Sequence, residues 1–186
     1  MCGITGFIQG GGAVRDLSEL CGRMTDAIAH RGPDAYGVWV DPQYPLALGH
    51  RRLSIIDLSE AGAQPMLSAT GRYVLSFNGE IYNFSRLRKD LSASRYPYKG
   101  HSDTEVILAA VEHLGSREAI SRLEGMFAIA LWDRETGTLT LARDRAGKKP
   151  LYYGWCGTTF LFGSELISLW VHPDLDDSLD QDALGQ

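Results

Sequence analysis

The chain opens Met1-Cys2-Gly3-Ile4-Thr5-Gly6-Phe7-Ile8. Residues 2–8 are a short apolar run that ends at the turn Gly10-Gly11-Gly12, and such a run reads as a strand leading from the terminus. Loss of Met1 makes cysteine the first residue, with thiol and α-amine together. A free α-amine titrates at about 7.7–8.0 and a free thiol at about 8.5. The amine can therefore take up a proton near neutral pH while the thiolate attacks an amide carbonyl. Gly3 lets the backbone turn tightly beside the thiol. With Met1 retained, Cys2 has no free amine and that base is missing. Taken alone, a Met-Cys start reads more simply as a small buried residue heading a strand. Cys21, on the apolar face of the first predicted helix, and Cys156, in a predicted turn, fit that simpler role.

Working outward, Leu17, Leu20, Cys21, Met24, Ala27 and Ile28 recur at helical spacing, with Asp16 or Ser18 to cap them. Residues 30–37 carry Gly32, Pro33 and Gly37 and read as loop. Residues 38–40, 46–50 and 73–77 read as strands, and 83–91 as a helix. A further helix spans 102–114, capped by Ser102 or Asp103, with Glu105 in its first turn. Residues 127–132 and 139–142 flank a turn at 135–137, and 152–155 with 160–162 suggest a second hairpin. Residues 164–170 close with a helix. From His172 the chain turns polar and acidic, with five aspartates after Pro173, and resembles a linker or frayed end. The expected division is a domain over 1–175 and the start of a linker or C-terminal tail over 176–186. Many short strands with few helices indicate an α+β fold with antiparallel pairing.

Composition limits the function. A length of 186 residues suits one domain, and 44% hydrophobic with 22% charged residues is ordinary for a soluble globular chain. A net charge of −5 argues against nucleic acid as the main partner. No run of about 18 apolar residues exists, so no membrane span is expected. The N-terminus lacks the basic-then-apolar pattern of a secretory signal. Three cysteines without CxxC spacing fit neither a disulfide framework nor a zinc site and indicate a reducing, cytoplasmic setting. The five histidines form no HxxxH or HExxH pair, so no metal site is expected.

Three further segments carry chemistry. His50-Arg51-Arg52-Leu53 follows an apolar strand, and a guanidinium there can grip a carboxylate with two parallel hydrogen bonds. Its plainer role is a surface ion pair. Asn78-Gly79 is a strong turn signal, and alone that reading prevails. The alternative is an oxyanion hole made by the Asn78 amide and the Gly79 N–H. Asp103 at a helix start is ordinarily a cap, but its carboxylate also suits a substrate ammonium group. Together these groups define a site for a free α-amino acid with a side-chain amide: a cation, an anion, a nucleophile and an oxyanion hole.

At this point the motifs resemble a known family. Met1-Cys2-Gly3-Ile4, Arg31-Gly32-Pro33-Asp34, residues 50–56, Ala63-Gln64-Pro65, residues 78–83, residues 102–107, Gly125-Met126-Phe127-Ala128 and residues 143–153 occur in order and at familiar spacing. The set resembles the class II glutamine amidotransferases and, within them, the glutaminase domain of glutamine-dependent asparagine synthetases. Pro33, the surroundings of Arg52 and the run Glu80-Ile81-Tyr82 carry the narrower likeness. The resemblance implies an N-terminal nucleophile hydrolase fold, an αββα sandwich with two central antiparallel sheets. It implies Cys2 as nucleophile, Asn78 and Gly79 as oxyanion hole, and Arg52 rather than Arg51 on the glutamine carboxylate. It further implies Glu80 as a glutamine contact and Asp103 on the ammonium. Backbone groups of Leu53, Ile55 and Ile56 then complete the site.

The same resemblance implies hydrolysis of L-glutamine to glutamate and ammonia, with no cofactor in this domain. ATP and magnesium are expected only in a synthetase domain or partner protein that receives the ammonia, most simply for aspartate amidation. Nothing in the chain resembles that domain, and no GxxxxGK[ST] motif is present. The basic residues of 145–149 read as a solvated or domain-contacting turn. A homodimer stands as an option. Two rivals remain at this level: an N-terminal-cysteine amide hydrolase with another substrate, and a non-catalytic binding domain of the same fold.

Overall fold

The computed structural model describes residues 1–11, 16–53, 62–94 and 96–175. Among the described residues, nine strands form two antiparallel sheets. The first holds β1 (Gly3–Ile8), β2 (Ala35–Val40), β3 (Leu46–Arg52), β8 (Tyr152–Cys156) and β9 (Thr159–Gly163) in the order β2-β3-β1-β9-β8. The second holds β4 (Met66–Leu67), β5 (Tyr73–Ile81), β6 (Gly125–Asp133) and β7 (Thr138–Arg143) in the order β4-β5-β6-β7. Helices α1 (Leu17–Asp26) and α5 (Leu166–Trp170) cover the first sheet, while α2 (Phe84–Asp90), α3 (Asp103–Leu114) and α4 (Ser116–Ser121) cover the second. This is the αββα sandwich that the resemblance implied.

Strand alternation builds the layers. Ile4, Leu46, Leu48 and Phe162 of one sheet meet Val74, Ala128, Ala130 and Trp132 of the other. The intervening residues point outward: Phe7, Ala47 and Leu161 pack under α1 and α5, and Leu75, Phe77, Ile129 and Leu131 pack under α3. Helix α3 is buried almost all round, with Val106 to Val111 at most 1% exposed, as expected of a helix apolar on every face. Local chemistry starts the helices. Asp16 Oδ1 accepts the N–H groups of Ser18 and Glu19 at 2.9 and 3.0 Å, and Ser102 Oγ accepts that of Glu105 at 3.3 Å.

Polar ties join the sheets at both ends. At one end Trp132 Nε1 donates to Asp41 Oδ2 (2.8 Å), whose other oxygen holds the Gln43 and Tyr44 N–H groups. At the other, Ser76 Oγ donates to the Gly49 carbonyl (3.0 Å) and His50 Nε2 to that of Phe77 (3.0 Å). The proton must lie on Nε2, because a carbonyl can only accept. His50 Nδ1 is then a buried acceptor without a hydrogen-bond partner among the described residues.

Several sequence expectations are corrected. Residues 35–37 belong to β2, because pairing of Ala35 with Arg52 and Gly37 with His50 overrides their loop-like composition. β5 continues through Asn78 and Gly79 to Ile81, since β6 supplies a partner for every residue of it. Short elements β4 and α4 were not foreseen. Cys156 ends β8 and does not lie in a turn. His172 is no part of a frayed end: it is 1% exposed, with its ring edge-on to Phe7 at 4.9 Å. The expected tail over 176–186 lies outside the described residues. Among the described residues, no helix is long and apolar enough to cross a membrane.

His50 generates a pH prediction. Burial holds its pKa down at about 4, with the Arg52 charge adding to the effect against the opposing bond to Phe77. The folded state therefore binds fewer protons than the unfolded one between about 6.5 and 4. His50 contributes stability that is complete above pH 6.5 and lost as the pH falls through that window. Relative to His50→Gln, the wild type should lose up to about 1.4 kcal/mol per pH unit there. Denaturant midpoints measured for both proteins across that range would show parallel profiles if the inference is wrong.

Candidate functional site

The site forms where three inward-facing rows run out of the apolar layer. On β1 the row Ile8, Gly6, Ile4 leads to Cys2; on β3 Leu46, Leu48, His50 lead to Arg52; on β5 Val74, Ser76 lead to Asn78 and Glu80. Each row ends in a polar group at the same end of the sandwich. β1 lies between β3 and β9, and Gly3 pairs with Arg51, which sets Cys2 beside Arg52. Leu53 N–H donates to Cys2 Sγ at 3.4 Å, and the Leu53 carbonyl lies 3.7 Å from the same sulfur.

A network beneath the terminus fixes Cys2. Arg31 Nε donates to the Cys2 carbonyl at 3.0 Å, and Arg31 Nη1 pairs with Glu165 Oε1 at 2.6 Å. His30 Nε2 meets Glu165 Oε2 at 3.0 Å. Burial opposes the Glu165 charge, but the Arg31 and His30 bonds outweigh it and hold the carboxyl below its usual range. Gly32 makes this contact possible. A Cβ there would meet the Arg52 backbone nitrogen at 2.5 Å, so only glycine lets this turn press on β3.

The opposite wall comes from β5 and α3. Asn78 is 1% exposed, and its Nδ2 has no hydrogen-bond partner among the described residues. A buried donor left unpaired costs on the order of 1–3 kcal/mol, so a ligand acceptor there recovers that loss. A Cβ at Gly79 would meet the Met126 carbonyl oxygen and Phe127 Cα (2.8 Å), so the strand tolerates no side chain. Asp103 opens α3, and its Oδ2 accepts the Ile81 N–H at 3.0 Å. Burial pushes its carboxyl above the usual range, the nearby Glu80 carboxylate adds to this, and backbone N–H groups oppose it. An ammonium partner would offset both causes. Gln64 joins the two elements: Oε1 accepts the Phe77 N–H at 2.7 Å and Nε2 reaches Thr104 Oγ1 at 3.5 Å.

The loop after β7 closes a third side. Asp144 Oδ1 accepts the N–H groups of Ala146 and Lys148, and Oδ2 those of Phe127 and Lys149. Burial works against this carboxylate, yet the four donors keep its pKa low. Arg145 and Lys148 are exposed, as expected of a solvated turn. Lys149 corrects that reading: it is 6% exposed, and its Nζ lies 3.3 Å from Met1 Sδ.

Cys2, Arg52, Leu53, Asn78, Gly79, Glu80 and Asp103 thus line one cleft of about 170 Å³. Ile55 and Ile56 lie outside the described residues. Met1, Thr104, Met126 and Lys149 also line the cleft and were not singled out as site residues; Gln64 had stood only within a motif. Met126 stood only in the motif of residues 125–128, and Lys149 only in that of residues 143–153 and as one of a basic run. Among the described residues, no group of three or more His, Cys, Asp or Glu side chains could hold a metal ion. The arrangement offers a thiol, an unpaired buried amide donor, and charges of both signs within one amino-acid-sized space.

A family model described as a glutamine amidotransferase domain matches residues 1–186. Asparagine synthetase [glutamine-hydrolyzing] 3 and 1 of Bacillus subtilis are 38% and 42% identical over 100% of this chain. Amidase chry2 of Gibberella zeae is 40% identical over 90% of it. The chain spans 30%, 29% and 26% of these relatives' own lengths, less than a third in each case. The glutamine phosphoribosylpyrophosphate amidotransferase structure from B. subtilis superposes with a TM-score of 0.74 at 20% identity, covering 91% of this chain and 43% of that one. A sandwich of two antiparallel sheets, an N-terminal cysteine at the end of its central strand and a family match along the whole sequence lead to one conclusion: the chain belongs to the class II glutamine amidotransferase domain family.

Proposed function

We propose that the chain hydrolyses glutamine through a γ-glutamyl thioester on Cys2. One observation carries this reading: the Cys2 thiol and the unpaired Asn78 Nδ2 share a cleft flanked by Arg52 on one side and Asp103 on the other. Arg52 takes the substrate carboxylate and Asp103 its ammonium, with Glu80 as a further contact and backbone groups of Leu53 as an edge. This leaves the side-chain amide at Cys2. Once Met1 is removed, the α-amine accepts the thiol proton and the thiolate adds to the amide carbon. Asn78 Nδ2 and the Gly79 N–H hold the oxyanion. The C–N bond then breaks, and ammonia leaves with the proton returned by the amine. Water attacks the thioester next, which releases glutamate and restores the thiol.

The ammonia serves an ATP- and magnesium-dependent synthetase domain or partner outside this chain. Aspartate is the favoured acceptor, because relatives near 40% identity over the whole chain are named asparagine synthetases. Another carboxylate is the second reading, favoured by a relative of similar identity named an amidase. Free thiols on Cys2, Cys21 and Cys156 suit a reducing, cytoplasmic setting.

Glutamate release by the Met1-processed protein, with the N-terminus verified by mass spectrometry, is the direct test. Cys2→Ala should abolish release, and release that persists in this variant sinks the mechanism. Asn78→Ala should lower kcat by about a hundredfold or more with little change in KM. Arg52→Ala and Asp103→Asn should instead raise KM for glutamine by about tenfold or more, since each removes a charge-assisted contact. Steady-state kinetics in which Asn78→Ala alters only KM would remove the oxyanion role.

A further inference from the structure

Lys149 is a buried charge that the mechanism above does not use. Its backbone is pinned twice: Asp144 Oδ2 accepts its N–H at 3.1 Å, and Arg143 Nε donates to its carbonyl at 2.7 Å. Arg143 Nη2 also donates to the Gly147 carbonyl at 2.6 Å, so the whole turn is held from one side. The side chain is 6% exposed and lines the same cleft as Cys2. Among the described residues, its Nζ makes one polar contact, to the Met1 thioether at 3.3 Å. A thioether is a weak acceptor, and a buried ammonium without an anion is costly. That sulfur belongs to the residue joined to Cys2 by a peptide bond, and it departs when Met1 is removed.

Among the described residues, the charges around this point are few. Arg52 stands at the end of β3, Glu80 on β5 and Asp103 at the start of α3, and Arg31 bonds the Cys2 carbonyl from below. Asp144 lies under the loop, with both oxygens engaged by backbone N–H groups. Asp103 holds the Ile81 N–H. No ion pair joins any described carboxylate to Lys149.

We propose that the Lys149 ammonium is an electrostatic positioning group for the mature terminus, stabilising the Cys2 thiolate that forms when the thiol proton passes to the α-amine. One positive charge in the cleft attracts that thiolate. The assignment deepens the glutaminase reading and rests on it for its purpose, but its test does not require glutamine.

The test is alkylation of Cys2 by iodoacetamide, a small neutral reagent, in the Met1-processed chain across a pH series, followed on the Cys2 peptide by mass spectrometry. In K149M the midpoint of the alkylation profile should rise by about one pH unit, and the rate at neutral pH should fall about tenfold. K149R should restore most of the wild-type profile. K149Q, which keeps a polar head in the buried slot, carries the test if K149M fails to fold. An unmoved midpoint in the neutral variant overturns the proposal, as does a K149R midpoint displaced as far as that of K149M. A displaced midpoint with no glutamate release from the wild type leaves the Lys149 assignment standing and removes the glutaminase reading. Glutamate release with an unmoved midpoint does the reverse.

Discussion

The constraint on which the site depends is the pairing of β1 on both edges. Chain termini fray unless they are tied down, and a frayed terminus cannot aim a thiol. Here Gly3–Ile8 is hydrogen-bonded to β3 along its length and to β9 over Thr5–Ile8. Ser164 adds two bonds to Ile4, through its N–H at 2.8 Å and its Oγ at 3.0 Å. Arg31 then takes the Cys2 carbonyl, and Glu165 holds Arg31. The first residues of the chain are therefore among its most constrained. They also form a strand that needs residues more than 150 positions away to complete its sheet.

Charge around the cleft is carried partly by buried groups. The two buried aspartates at the cleft, Asp103 and Asp144, are fixed by backbone N–H groups and not by an opposite ion. Asp144 spends both oxygens on four N–H groups and stays charged against its burial. Asp103 receives fewer such bonds and a neighbouring Glu80, so its carboxyl rises above the usual range. The two aspartates differ by what surrounds them: one organises a loop and the other remains open to a cationic ligand. His50 completes the pattern. Buried and bonded through Nε2 to the Phe77 carbonyl, it stays neutral beside the cationic end of its own strand.

Much of the site was legible because its residues sit in short motifs with definite chemistry. Cys2, Arg52, Leu53, Asn78, Gly79, Glu80 and Asp103 could each be named, and the structure gathers all seven. Lys149 could not be told from Lys148 or Arg145, because burial of a lysine depends on which way a loop folds over a cleft. Gln64 and Thr104 likewise gain meaning only from the 3.5 Å contact that joins their segments. Periodicity also located α1, α2, α3 and α5 and both expected hairpins, since alternation and capping are local properties.

The sequence by itself determined the class of fold, narrowed the helix caps to Asp16 or Ser18 and to Ser102 or Asp103, and set the strand order within each hairpin and the inventory of reactive groups. Tertiary structure alone decided what Asn78-Gly79 became. Local preference favours a turn for that pair, yet β6 offers Gly79 a partner in Phe127 and carries the strand three residues beyond Asn78. Tertiary structure also decided that Cys2, Asn78, Asp103 and Lys149 share one space. The reason is physical: propensity and patterning act over a few residues, whereas the cleft exists only where strands from distant parts of the chain end together between two packed sheets.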